Sequence, residues 1–281
     1  MSTVLITGAS GFIGQALADA MSVHHDVLCM SRHDPDLSLP WIRGEFGSFE
    51  NLRQLDDQRI DVVVHLGAVT GGCLERDGML VNVDGTRCLM RYLIDRGCRK
   101  FVMASSIAAV GLQSTQFRPL QVPIPDEHPC LDRDGYGFSK YLMEEVTRYY
   151  SRQNDEIDVI NLRLSSVPRD EDIPPPKVVE PLRDWSLGGI TIMARSDAVR
   201  AFSLAAEASH KPGVRIMNAT GPKSWVAVPV VEILRNWWGH DVDLSFFEES
   251  GHEYDSVYDV SLIKQELGFV AERVADRGAD S

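Results

Sequence analysis

The stretch "TVLITGASGFIG" joins a short apolar run to three glycines spaced three apart, Gly8, Gly11 and Gly14. A strand that enters a helix through such a turn brings backbone N–H groups and the positive end of a helix dipole to one point, which suits a pyrophosphate. Glycine there permits the tight turn, the close approach of a ligand and the packing of helix on strand. An ordinary glycine-rich loop is the competing reading; the strand before, the helix after and the N-terminal position weigh against it. Gly8, Ser10, Gly11, Phe12, Ile13 and Gly14 are therefore the expected floor of a dinucleotide site.

Strand-length apolar runs then recur with helical stretches between them: "DVLCM", "DVVVHLGA", "KFVMASS" and "DVINLRL" alternate with segments such as "GQALADAMS" and "GTRCLMRYLIDRG". Continuous rather than alternating apolarity predicts strands buried on both faces, hence a doubly wound parallel α/β domain of Rossmann type over residues 1–165. After Leu164, "VPRDEDIPPPKVVEP" mixes prolines with acids and suits neither a helix nor a central strand. A small substrate-binding lobe is expected over 166–281, with about 197–220 packing back on the first domain. Within it "SDAVRAFSLAAEAS", "VVEILRNWWG" and "SLIKQELGF" read as helices, "GVRIMNAT" reads as a strand, and the tail "AERVADRGADS" is expected to fray.

The charge balance, 41 acids against 28 bases with no basic run, excludes the footprint that nucleic acid requires. The five cysteines form no CxxC pair and have no histidine at metal-ligand spacing, so we read them as reduced thiols with no metal site. With no leader pattern and no apolar run of about 18 residues, a cytoplasmic protein without a membrane partner is expected.

At the end of the second strand, 17 residues after Gly14, stands Ser31, followed by Arg32. A carboxylate there would bind both ribose hydroxyls of NAD and repel a 2′-phosphate, whereas a hydroxyl and a guanidinium can hydrogen-bond to that phosphate. NADP is favoured over NAD on this ground, with His33 assisting or facing solvent; an Arg32 that merely points to solvent is the alternative. "GEF" and "HLGA" end the third and fourth strands, where Glu45 and Phe46 would flank adenine and Leu66, Gly67 and Ala68 would approach phosphate and ribose. A plain strand-to-helix turn would look the same.

"DGYGFSKYLMEEVTRYY" places Tyr136 and Lys140 four apart on one helix face. A phenol is a poor base at neutral pH, and a neighbouring ammonium stabilises its phenolate. Such a pair alone often marks only a surface contact. Here "KFVMASS" supplies Ser105 and Ser106 at a strand's C-terminal end, where doubly wound sheets place ligands, and a hydroxyl there could hold the reacting oxygen against Tyr136.

Together "TGASGFIG", "DVVVHLGA", "VNVDGT", "FVMASS", "YGFSK", "INLRL" and "YDVSLIKQELGF" resemble, in order and over nearly the whole chain, the extended short-chain dehydrogenase/reductases, the epimerase/dehydratase-like branch. The resemblance implies Tyr136 as acid/base, Lys140 on the nicotinamide ribose and Ser106 positioning the reacting oxygen. It also implies Asn82 supporting the site through the backbone, Leu164 and Ser165 near the nicotinamide, and a homodimer through the Tyr136 helix and the one before it. The apolar stripes of those two helices are equally explained by packing within one chain.

The pattern departs where "SSVPRD" follows "INLRL" and where Val110 precedes Gly111, both in the substrate half. Only about 30 residues separate Val167 from Asp197, little to embrace a sugar nucleotide, and the layout resembles small members such as the uronate dehydrogenases. Thr70, Ser105, Ser106 and Ser166 are the expected substrate contacts. Arg163, Arg169, Arg183, Arg195 and Arg200 could grip a carboxylate or form ion pairs, and Trp185, Trp225, Trp237 and Trp238 are read as lobe core. The expected function is an NADP(H)-dependent oxidoreductase acting on a small polar sugar, sugar acid or ketone. An epimerase or dehydratase that retains its cofactor, and a cofactor sensor without catalysis, are the alternatives.

Overall fold

Among the residues described by the computed structural model, 1–111, 117–179 and 187–276, seven strands form one parallel sheet. They are β1 (Thr3–Thr7), β2 (Asp26–Ser31), β3 (Trp41–Arg43), β4 (Val62–His65), β5 (Lys100–Ser106), β6 (Asp158–Leu164) and β7 (Gly213–Ala219). Their order is β3-β2-β1-β4-β5-β6-β7. The chain winds outward from β1 to β3, then returns to β4 on the other side of β1. That reversal opens a crevice between β1 and β4 at the C-terminal strand ends, where such sheets take ligands.

Alternation along each strand feeds two cores. Val4, Ile6, Val64 and Leu162 face the helices α1 (Phe12–Ser22) and α6 (Arg195–Glu207), where Leu17, Ala201 and Phe202 are buried against them. Leu5, Val63, Phe101 and Val159 face α4 (Thr86–Asp95) and α5 (Gly135–Gln153). The single turns α2 (Phe49–Leu52) and α3 (Glu75–Asp77) lead into the second layer, the latter through a π-helical segment, Gly78–Gly85. A third cluster joins α7 (Val230–Trp238) and α8 (Ser245–Glu248) to Ile107, Ile124 and Tyr258. The helix α9 (Ser261–Leu267) returns to the first core through Ile263.

The stretch 167–179 contains no helix and no named strand, as its prolines require. No helix among the described residues is long and apolar enough to cross a membrane.

The buried face of α5 is polar: Ser139, Lys140, Glu144 and Thr147 lie on it. Each is satisfied. Ser139 donates to the Tyr136 carbonyl, Lys140 to the Ala104 carbonyl at 2.7 Å, and Thr147 to the Glu144 carbonyl. Glu144 accepts two hydrogen bonds from Arg163, both 2.8 Å, and one from Ser105 at 2.6 Å. Removing the charge from a pair so fully buried leaves a guanidinium unpaired in low dielectric. Glu144→Gln is expected to cost about 3–5 kcal/mol in urea denaturation, whereas Asp84→Asn, which breaks the exposed Asp84–Arg87 pair, should cost about 1 kcal/mol or less.

Candidate active site

The turn after β1 has little room for side chains. Gly8 has φ +71°, and a Cβ on it would lie 2.7 Å from the Gly67 nitrogen; one on Gly14 would lie 2.2 Å from the Gly8 carbonyl oxygen. Both positions therefore demand glycine. The N-terminus of α1 has neither a side-chain cap nor an acid in its first turn, so its leading amides remain available to an anion.

From this turn a cavity of about 650 Å³ runs along the strand ends. Gly8, Ser10, Gly11, Phe12, Ile13 and Gly14 line its centre. Ser31, Arg32, Glu45 and Phe46 line one arm; Leu66, Gly67, Ala68 and Leu164 line the rest with Tyr136 and Lys140. Residues distant in sequence thus border one continuous space whose glycine cradle fits a dinucleotide.

At the β2 end, Ser31 donates to the His33 carbonyl at 2.7 Å and accepts from the Trp41 indole at 3.0 Å. Its proton is committed to shaping the turn, which leaves the exposed Arg32 side chain at the cavity edge. Phe46 fills the space over Gly67 and Gly85 and meets His65 edge-on at 4.6 Å. His65 bridges Thr7 at 2.6 Å and Thr86 at 3.1 Å, and burial followed by the Lys140 charge pushes its pKa down to about 3. It stays neutral at physiological pH and ties β1, β4 and α4 together.

At the β5 end, Asp134 caps α5 by accepting from the Tyr136 and Gly137 amides at 2.8 and 3.1 Å, which fixes the turn carrying Tyr136. Burial raises the Tyr136 phenol, and a hydrogen bond with Ser106 lowers it in opposition. Ser106 accepts from the Ala108 amide at 3.2 Å. The Lys140 ammonium lies 6.0 Å from the Tyr136 ring centroid; burial brings its pKa down to about 8 against the opposing pull of Glu144. At neutral pH the phenol is protonated and the ammonium charged. The site holds a proton donor, a hydroxyl and a cation together.

Asn82 clamps the Val69 backbone, accepting from its amide at 2.9 Å and donating to its carbonyl at 3.1 Å, and also donates to Ser139. It thereby positions the loop that carries Thr70, which is exposed on the cavity wall. Ser105 lines the cavity with its hydroxyl proton given to Glu144. Ser166 stands apart: it is exposed, does not line the cavity, and donates to the Gly188 carbonyl at 2.9 Å. Its neighbour Ser165 lines the cavity instead.

Of the arginines, Arg163 is buried and bidentate on Glu144, so it grips no substrate. Arg200 pairs with Asp197 at 2.9 Å, and Arg169 and Arg195 stack on Phe12 at 5.7 and 5.3 Å. Trp225 and Trp238 are buried in separate clusters, and Trp237 packs beside Trp238. Arg183 and Trp185 lie outside the described residues. All five cysteines are free, and the described residues hold no cluster suited to a metal ion.

Sequence reasoning missed Glu144, Trp41 and His65. Nothing local marks them, because each acts through a partner distant in the chain; only the spacing of Glu144 four residues beyond Lys140 placed it on the same helix face.

The chain is 27% identical over 183 residues to a UDP-glucose 4-epimerase of Cyamopsis tetragonoloba, covering 57% of this chain and 51% of that protein. It is 30% identical over 194 residues to an NAD-dependent glucose-6-phosphate dehydrogenase of Haloferax volcanii, covering 63% and 72%. The chain thus spans about half the length of the first of these relatives. Among solved structures, a short-chain dehydrogenase/reductase superfamily protein of Agrobacterium tumefaciens with bound NAD superposes with TM-score 0.72 at 22% identity, covering 98% of this chain and 94% of that one. A mutated uronate dehydrogenase superposes with TM-score 0.69 at 20% identity, covering 97% and 82%. These likenesses establish the fold. Residues 4–171 match the NAD dependent epimerase/dehydratase family, and the chain belongs to that family.

Proposed function

We propose that the protein is an NADP(H)-dependent oxidoreductase that interconverts an alcohol and a carbonyl on a small polar substrate such as a sugar, sugar acid or ketone. The convergence of Ser106, Tyr136 and Lys140 at one end of the glycine cradle supports this reading. A nicotinamide bound there supplies or accepts the hydride. Ser106 and Tyr136 hold the substrate oxygen between their hydroxyls. In reduction the Tyr136 phenol gives its proton to that oxygen, and in oxidation its phenolate removes the alcohol proton. Lys140 stabilises the phenolate with its nearby charge.

The preference for NADP is drawn from the β2 end, where Arg32 borders the cavity and Ser31 stands where an NAD-binding carboxylate would. Glu45 lies one strand further out, at the end of β3. The exposed Phe138 and Tyr149 on α5 support a homodimer through that helix and α4; a light-scattering mass of one chain would rule the dimer out.

A second reading, an epimerase that keeps its coenzyme through turnover, draws on the UDP-glucose 4-epimerase relative. The two differ in bookkeeping of the coenzyme. An oxidoreductase reduces or oxidises added coenzyme one-for-one with product, followed at the NADPH absorbance, and an epimerase converts sugar without net change in it.

Two variants test the assignment. Tyr136→Phe should lower turnover about 10²- to 10⁴-fold while coenzyme binding persists; near-normal turnover would refute the acid/base role. Arg32→Asp, titrated calorimetrically, should weaken NADPH about tenfold or more and NADH little, and equal losses for both would remove the NADP preference.

A further inference from the structure

The carboxylate that opens α5 stands two residues before Tyr136. One Asp134 oxygen accepts from the Tyr136 and Gly137 amides, and the other is shielded from solvent with no hydrogen-bond partner among the described residues. Serine or asparagine would make the same cap without a charge. The amides of a first helical turn favour an anion beside them, so a phenolate on that turn would be stabilised, and the Asp134 charge offsets this. Because its second oxygen is out of reach of water, that charge is weakly screened. We propose that Asp134 is a positioning residue that keeps Tyr136 in its proton-donating form and so suits the site to reducing a carbonyl.

This inference rests on the reading of Tyr136 as the acid/base. The groups around the phenol come from several elements. Lys140 lies one turn along α5, Ser106 ends β5, and the 66–74 loop brings Gly71 against the ring and Cys73 within electrostatic reach. Glu75 of α3 packs on Gly135 and is exposed. Asp132 lies behind the cap and accepts from the Asp134 amide at 3.2 Å; burial, then the Asp134 charge, raises its pKa to about 6. At Tyr136 burial raises the phenol most, Cys73 and Asp134 add to it, and Ser106 opposes them. Lys140 favours the phenolate, so Asp134 and Lys140 pull in opposite directions. In reduction the hydride passes from the reduced coenzyme to the carbonyl carbon and the phenol proton passes to the oxygen, after which the phenolate regains a proton from water. A phenol still protonated at neutral pH starts each cycle ready to give.

Ultraviolet titration of tyrosinate in the full chain, taken as the difference between each protein and its Tyr136→Phe counterpart, reads this phenol without coenzyme or substrate. Asp134→Asn and Asp134→Ser keep the cap and should move the midpoint down by about 0.5–1 pH unit. A midpoint that is unmoved or raised in both would overturn the assignment, and one that moves only in Asp134→Ala, which loses the cap, would reduce the residue to a helix cap. In a Cys73→Ser background the Asp134→Asn shift should persist; its loss would give the effect to the thiol instead. With NADPH and whichever of a panel of uronates, aldoses and small ketones is turned over, the pH at which reduction falls off should drop by the same interval in Asp134→Asn. A phenol that shifts while this turnover profile stays in place would refute the acid/base reading of Tyr136, and the inference with it.

Discussion

A guanidinium cut off from water must find its counter-charge inside the protein, and Arg163 on β6 finds it on α5, where both Glu144 oxygens accept from it. Ser105 on β5 adds a third hydrogen bond to the same carboxylate, and Lys140, one turn back along α5, donates to the Ala104 carbonyl. Two strands and one helix are thus bound by charge-assisted bonds whose directions admit little sliding. Apolar packing alone would tolerate a small shift of α5. These bonds set where Tyr136 stands relative to Ser106, to which the proposed chemistry is sensitive.

The other half of the site is set by exclusion rather than attraction. Gly8 approaches Gly67 across the β1–β4 crevice, and Gly14 approaches the Gly8 carbonyl within the turn, so closely that no side chain fits at either position. Phe46 fills the flank over Gly67 and Gly85, and neutral His65 joins the neighbouring strands behind it. The turn is therefore a backbone surface without room for side chains, which suits it to a diphosphate. The polar side chains on the cavity lining, Arg32 at one end and the hydroxyls of Ser106 and Ser165 at the other, sit at the margins where strands end.

Much of this was legible from local pattern. The glycine spacing, the continuous apolar strands and the Tyr136–Lys140 interval each express a rule of backbone geometry that acts over a few residues. Substrate contacts were less legible. Ser165 and Ser166 are adjacent and chemically identical, yet one lines the cavity and the other turns to Gly188, because the chain leaves the strand there and no periodicity governs which way it faces. For Arg163 an ion pair was the favoured reading over a grip on a substrate carboxylate, and its partner, Glu144, is a residue that no local pattern pointed to. Ser31 looked like a free donor, and Trp41 and His33 were found to occupy it.

By itself the sequence determined the doubly wound sheet, the glycine cradle and the residues proposed to move the proton, since hydrophobic period, glycine spacing and side-chain chemistry are properties of neighbouring residues. Tertiary structure alone decided which polar groups remain free. Ser105, Ser166, Arg163 and Ser31 are all engaged by groups remote in the chain, and among the described residues the Ser165 hydroxyl meets none. Whether a buried polar atom is satisfied depends on every element packed around it, and only the assembled sheet and helices bring those elements together.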